Sequence, residues 1–546
     1  MKKLTKLTAL VLAAACLAAS VGCARGNDTT TTAETTAATT TAPTPDFDGS
    51  LDGYTVVYSA SSSARVKKSA RELANAIGCS VATTAEAGTE KVILVGDTDR
   101  SESTDAAKAL SASGSKRAYN YSLSVSENNN IVIIGDKPDS IAQAISDVIE
   151  SYIEKDGKNV RIKLVKDAPV IYGYDFPMIT ASNGIRFRTE VISEVYLPKF
   201  ATGTAKGTQY PKVIELQHDE RYKGILLATY QADNKGFRVS QSTDGGESWH
   251  PYSNAVQLLD KSLSLYWNGH LFELPCQVGD MPAGTVLLSG CCIDKAQDTK
   301  THISIWRSFN GGKNWEQYSI VGEAGGLGEG LWEPCIVYEN GSLYCFYSDD
   351  SDPAHDQKLV YKKSTDGVNW GDAVECVALE DPTLRPGMIS VVKMNNGKYF
   401  APYELVSGPM ATTHTDYVYY KILDSLDGDW NPTDVGKRLT AKGGPDYIGS
   451  APWCGYIPDV GENGVLILSS KKGGGQYMYV SFDCGETFEA IPNPLPYEGT
   501  VAGYSPSFFA TSDGKTLLYA QTVPWKDGHN KIMFARIKLQ EAFEIK

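Results

Sequence analysis

Two glutamates sit where a carboxylate is expensive to keep. Glu333 lies in the apolar run Leu331-Trp332-Glu333-Pro334-Cys335-Ile336-Val337-Tyr338, and Glu404 follows Tyr399-Phe400-Ala401-Pro402-Tyr403 and precedes Leu405-Val406. Burial disfavours the charged form, so such a carboxyl either pairs with a cation or is raised toward a pKa useful for proton transfer. The bland reading is a core glutamate neutralised by an arginine. The sharper one is a pair of carboxyls flanking a glycosidic bond, one protonating the leaving oxygen while the other attacks or activates water. Side chains suited to sugar hydroxyls stand nearby: Asp352, His355 and Gln357 after the Glu333 run, Tyr403 beside Glu404, and Tyr504 in Ala502-Gly503-Tyr504-Ser505. Arg385, followed by Pro386-Gly387, suits bidentate contact with a carboxylate. Trp267, Trp332, Trp453 and Trp525 are candidates for stacking on a sugar face, although core packing is the commoner fate of a tryptophan.

The elements that must position these residues are strands. From about residue 170 onward helical periodicity nearly vanishes, and one turn recurs five times: Ser242-Thr-Asp-Gly-Gly-Glu-Ser-Trp249, Ser308-Phe-Asn-Gly-Gly-Lys-Asn-Trp315, Ser364-Thr-Asp-Gly-Val-Asn-Trp370, Ser425-Leu-Asp-Gly-Asp-Trp430 and Ser481-Phe-Asp-Cys-Gly-Glu-Thr-Phe488. Asp or Asn accepts backbone N–H bonds, Gly supplies a positive φ, and the closing aromatic plugs the turn. The first serines are 66, 56, 61 and 56 residues apart, a period that fits one four-stranded blade. The expected fold is mainly β: a six-bladed β-propeller, one blade without a readable turn, preceded by a small α/β domain.

These turns resemble the Asp-boxes (BNR repeats) of the sialidase superfamily, which implies that they are structural and lie away from an active site. A narrower resemblance rests on Trp332-Glu333-Pro334, on Tyr347 to Leu359, on Arg385-Pro386-Gly387-Met388 and on Tyr403-Glu404, with looser agreement at Tyr210-Pro211. This set looks like the exo-1,5-α-L-arabinanase family, glycoside hydrolase family 93. The resemblance implies a retaining hydrolase with Glu333 as nucleophile and Glu404 as acid/base, no cofactor, and Asp352, His355, Gln357, Arg385, Tyr403 and Tyr504 around the substrate. One alternative is a sialidase with Tyr504 as nucleophile, but the arginines that would clamp a substrate carboxylate are scarce: Arg385, with Arg188 or Arg438. A second is a propeller that binds glycan without cleaving it.

Composition bounds the setting. The chain has 546 residues and a formal charge of −14, without basic runs, which argues against nucleic acid as a partner. Lys2, Lys3, an apolar run and Ser20-Val21-Gly22-Cys23 read as an export signal over residues 1–23 with Cys23 as lipidation site; an ordinary secretory signal is the alternative. Residues 24–47 are a Thr/Ala/Pro-rich tether. The expectation is therefore an enzyme anchored by lipid to the outer face of a bacterial membrane, acting as a monomer on a polysaccharide or oligosaccharide. Residues 48–168 alternate strand and helix patterns, with helices expected from Ser63 to Ile77 and from Asp139 to Ile153, and resemble the accessory domain ahead of hexosaminidase-like catalytic domains; residues 169–546 form the propeller. The nine cysteines beyond Cys23 show neither a disulfide framework nor metal-ligand spacing.

Overall fold

A computed structural model describes residues 47–541 apart from 113–119, 167, 173–176, 197–207, 233–235, 257–258, 295–297, 408–415, 472–475, 496–504 and 525–529. Cys23, the export segment, nearly all of the tether, Tyr504 and Trp525 lie outside the described residues.

Six antiparallel sheets form the propeller, five of them built from consecutive strands within 209–255, 265–324, 331–377, 384–438 and 453–492. Strands such as Val286–Ile293 are buried along their whole length, because blades pack against both of their faces. That burial on both sides explains the continuous apolar runs read in the sequence. First strands of neighbouring blades, such as Gln209–Glu215, Leu265–Glu273 and Leu331–Glu339, pack side by side and line a central channel.

The sixth blade closes the ring from both ends of the propeller. Ser507–Ala510, Thr516–Pro524 and Asn530–Gln540 come from the C-terminal end, and Arg186–Tyr196 from the N-terminal end completes the sheet, with Met178–Thr180 outside it. Phe187 pairs with Leu539 and Ile192 with Ala535. Lys531 Nζ meets Glu194 Oε1 at 3.4 Å, with both side chains more than nine-tenths buried. This blade has no recurrent turn for a topological reason: its third and fourth strands come from opposite ends of the propeller, so no turn links them.

The five turns act as rivets between blades. In the second blade, Ser308 Oγ accepts the Gly312 N–H at 3.0 Å and Asn310 Oδ1 accepts the Asn314 N–H at 2.9 Å. Trp315 Nε1 then donates to Ser253 Oγ of the preceding blade at 2.9 Å, and that hydroxyl donates to Gly312 O at 2.5 Å. The same arrangement joins Trp249 to Ser193 and Trp370 to Ser319. The fourth copy differs: Trp430 Nε1 donates within its own turn to Leu426 O, and Asp427 instead binds Tyr344 and Lys363.

Ahead of the propeller, a six-stranded sheet runs in the order Ser80–Thr83, Thr55–Tyr58, Val92–Val95, Ile131–Gly135, Tyr121–Val125, Val170–Tyr172, the first four strands mutually parallel. Helix Ala64–Ile77 is capped by the Ser63 hydroxyl and buries Val66, Ala70, Leu73, Ala74 and Ile77 as one stripe. The second expected helix is α-helical only over Pro138–Asp147 and continues as a wider π turn, Val148–Tyr152. A third helix, Ser101–Ala112, was not expected, since its Ser, Asp and Ala residues carry little amphipathic pattern. Lys137 pairs with Glu247 of the first propeller turn at 3.2 Å.

Replacing Ser308 by alanine strands the buried Gly312 N–H, which costs about 1–3 kcal/mol. Chemical denaturation is expected to show that loss. Substrate turnover should stay unchanged, because the turn lies at the end of the blade remote from the cleft described below.

Candidate active site

Each blade carries, in or beside its innermost strand, a residue in the left-handed backbone region: Tyr210 (φ 55°), Asn268 (55°), Glu333 (51°), Met388 (59°), Ala451 (49°) and Ser505 (49°). Non-glycine residues rarely adopt this conformation, which costs on the order of 1–3 kcal/mol each. Three of them fall within register shifts against the second strand, between Gln209 and Lys212, Trp267 and His270, and Trp332 and Cys335. A bulge breaks the in–out alternation of a strand and re-aims a side chain. Tyr210, Met388 and Ala451 pack together as one small buried cluster, so the ring residues converge on the channel axis.

At this end of the channel a cleft of about 560 Å³ is lined by Tyr210, Trp267, Asn268, Trp332, Glu333, Asp350, Gln357, Arg385, Met388 and Glu404, among others. The recurrent turns lie at the opposite end. In the third blade Asp349 pairs with Lys358 beside the cleft, whereas Leu343 pairs with Ser364 where the turn begins.

Glu333 and Glu404 come from adjacent blades, and one hydroxyl ties Glu333 to the strand paired with that of Glu404. Ser348 Oγ donates to Glu333 Oε2 at 2.8 Å and accepts the Met388 N–H at 3.2 Å. Gly387, next to Met388, lies opposite Glu404 across the sheet. A Cβ at Gly387 would come within 2.5 Å of Gln357 Nε2 and 3.4 Å of Glu404 Oε1, so a larger residue there would displace the Gln357 amide. Glu404 Oε2 accepts the Ala451 N–H at 2.5 Å. Burial pushes the Glu333 carboxyl up to about 8, with the charges of Glu404 and Asp350 adding to the rise and Ser348 and Arg385 opposing it. Burial also raises Glu404, against the Ala451 N–H bond.

A second network holds the wall of the cleft. Asp350 Oδ2 accepts from Trp332 Nε1 and from Arg385 Nη2, both at 3.0 Å. Arg385 Nη2 also donates to Gln357 Oε1 at 2.5 Å, and Gln357 Nε2 donates to Pro386 O at 2.8 Å. The Trp332 ring, fixed in this way, lies 6.1 Å from that of Trp267 at an interplanar angle of 31°. Burial raises the Asp350 carboxyl to about 6 despite Arg385.

Of the residues read from the sequence, Glu333, Glu404, Gln357, Arg385, Trp267 and Trp332 meet in this cleft. Four do not line it. Tyr403 is wholly buried, its hydroxyl bonded to Val435 O and its ring stacked on Tyr419, because the alternation that aims Glu404 at the cleft aims Tyr403 into the core. Asp352 is held at 2.6 Å by Lys358, on the segment that also carries His355. Trp453 lies lower in the channel beneath the Lys212 ammonium, 3.9 Å from its ring centroid. Asp350, Ser348, Asn268 and Met388 were not singled out. A readable trace of the ring existed: Tyr210, Glu333, Ala451 and Ser505 each precede a proline.

No protein-family model matches the sequence, and no curated protein sequence matches it. Solved structures do. A GH93 α-L-arabinofuranosidase of Fusarium graminearum, in complex with arabinobiose, is 24% identical with a TM-score of 0.56; the match covers 64% of this chain and 98% of that one. An α-L-arabinanase of Penicillium chrysogenum, also complexed with arabinobiose, is 26% identical with a TM-score of 0.57, covering 66% and 99%. The expected six-bladed propeller is the architecture found, and it resembles the folds of these proteins.

A raised carboxyl works against stability as pH rises. Unfolded Glu333 loses its proton near 4.3, while folded Glu333 keeps it to about 8, so folding loses free energy across that interval. Glu333→Gln removes the loss. Thermal melting should show the variant gaining over the native protein from about pH 5 to pH 8, by a few kcal/mol at the upper end.

Proposed function

We propose that this chain is a retaining glycoside hydrolase acting on arabinan-type polysaccharide, in the manner of an exo-α-1,5-L-arabinanase. One observation carries the proposal: two half-buried glutamates from adjacent blades share one cleft, and their carboxyls are held in place through Ser348 and the Ala451 N–H. The likeness to two arabinobiose-bound structures supports the choice of sugar.

In this reading Glu333 attacks the anomeric carbon while Glu404 protonates the departing oxygen, giving a covalent arabinosyl-enzyme. Glu404 then takes a proton from water, which displaces Glu333 and releases the sugar with its configuration retained. The double displacement needs one ionised and one protonated carboxyl. Burial raises both, and the charge of Glu404 further disfavours ionisation of Glu333, so the pair tends to keep a shared proton near neutral pH. With Glu333 raised to about 8, that proton rests on Glu333 in the free enzyme, and attack requires its transfer toward Glu404; Arg385, opposing the rise of Glu333, favours that transfer. Trp332 and Trp267 offer apolar faces to the furanose ring, and Gln357 offers hydrogen bonds to its hydroxyls.

The sialidase alternative has less support. Of its arginine candidates, Arg385 is the one lining the cleft among the described residues, while Arg188 pairs with Glu190 and Arg438 lies over Tyr417. A carboxylate substrate without clustered cations is poorly held. Export and lipid attachment at Cys23, with action at the outer face of a bacterial membrane, belong to the same proposal and rest on the N-terminal sequence.

Purified protein is expected to release sugar from linear arabinan, and no release from arabinan or any arabinofuranoside would overturn the substrate. Azide separates the two roles. With an aryl α-L-arabinofuranoside, Glu333→Gly should yield arabinosyl azide of inverted configuration and Glu404→Gly azide of retained configuration. The reverse pattern exchanges the assignments. Either replacement is expected to lower kcat/KM on arabinan by about a thousandfold or more.

A further inference from the structure

Deeper in the channel than the two glutamates lies a cation that the mechanism above does not use. Lys212, on the innermost strand of the first blade, is 5% exposed, and no carboxylate pairs with its ammonium among the described residues. Neutral oxygens surround it instead. Nζ reaches Ser505 Oγ at 2.7 Å, Ser505 O at 3.1 Å, Pro211 O at 3.2 Å and Pro506 O at 3.4 Å. It also lies 3.9 Å from the centroid of the Trp453 ring. Burial lowers this lysine to about 7, the mark of a charge that is costly to keep. An apolar side chain of similar length would fill the space without that cost.

What the ammonium holds points to its task. Trp453 stands two residues after Ala451, whose N–H binds Glu404 at 2.5 Å, and the Ser450 side chain bonds the same carboxyl. Ser450 (φ 63°) and Ala451 (φ 49°) are consecutive left-handed residues, a backbone that persists only where its surroundings fix it. On the upstream side, Ser450 O accepts the Lys471 N–H at 2.8 Å, and a Cβ at Gly449 would come within 1.9 Å of Asp416 O. On the downstream side, Trp453 rests against Lys212. The Trp453 ring also meets that of His270, with centroids 5.6 Å apart, and His270 Nδ1 accepts the N–H of Ile336, three residues after Glu333. Tyr210, two residues before Lys212, packs with Ala451 and Met388. Two short routes therefore join the cation to the turn that holds Glu404.

We propose that Lys212 is a positioning residue for the acid/base carboxyl. Its ammonium grips Trp453 and the start of the sixth blade, and so keeps the Ser450–Ala451 turn where the Ala451 N–H meets Glu404. The inference rests on the proposed function and deepens it. Without the grip the turn relaxes toward ordinary backbone and Glu404 loses its anchor. Protonation of the leaving oxygen then weakens, while sugar binding and attack by Glu333 persist.

The test varies how much the leaving group needs a proton. Lys212→Met should lower kcat/KM on linear arabino-oligosaccharides about tenfold or more, mainly through kcat, because the departing sugar oxygen must be protonated. On 2,4-dinitrophenyl α-L-arabinofuranoside, whose phenolate leaves without a proton, kcat/KM should stay within about twofold of native. Trp453→Leu should repeat this pattern, and Trp453→Phe, which keeps a ring against the ammonium, should restore most of the activity. Ser505→Ala removes one bond to the ammonium, so it should show the same selectivity with a loss of about threefold. It carries the comparison if Lys212→Met fails to fold. Equal losses on both substrates, or no loss on either, in a native enzyme that cleaves arabinan would overturn the positioning role alone. A native protein that cleaves neither substrate would overturn the proposed function, and this role with it.

Discussion

The pairing of Arg186–Tyr196 with Asn530–Gln540 is the contact on which the rest of the molecule depends. Six blades wedge against one another only while the ring is shut, and the first strands converge on an axis only because the wedge is complete. Glu333 and Glu404 stand on different blades, so their relation is set by the packing of the whole ring. The buried ion pair of Lys531 with Glu194, residues 337 positions apart, fixes which strands close it. An ion pair withdrawn from water adds little net stability, yet an incorrect partner would leave one buried charge alone. Its value lies in specifying register.

Against that rigid frame the site is built from unfavourable parts. Left-handed backbone at ring positions and carboxyls raised by burial both cost free energy, and the surrounding sheets hold them in place. The two networks divide the labour. Ser348 and the Met388 and Ala451 N–H groups hold the two glutamates, while Asp350, Arg385 and Gln357 hold the wall of the cleft.

The propeller was legible because its turns repeat a local solution, with Ser, Asp or Asn, Gly and an aromatic each answering a need within a few residues. The glutamate pair was legible because acidic residues in apolar strands are costly. What escaped depended on long-range geometry. Asp350 sits in an acidic stretch, Tyr347-Ser-Asp-Asp-Ser-Asp, where nothing local distinguishes the one carboxylate that turns toward Arg385. Tyr403 looked like a neighbour of the chemistry, but adjacency along a strand means opposite faces. The left-handed ring residues share no side-chain type, so no pattern of residue classes marks all six. The helix Ser101–Ala112 is short of the apolar spacing that betrays an amphipathic surface.

That ring of unlike residues on like backbone has a bearing on ancestry. Tyr210, Asn268, Glu333, Met388, Ala451 and Ser505 occupy one architectural slot six times over, and in this chain one of the six is an acid. A repeat protein arranged in this way holds its chemistry in interchangeable sockets. A new side chain in one socket meets the same axis from a different angle, while every strand, turn and rivet beneath it stays as it was. Divergence among propellers of this kind can therefore proceed by reassignment of sockets, with the scaffold inherited whole.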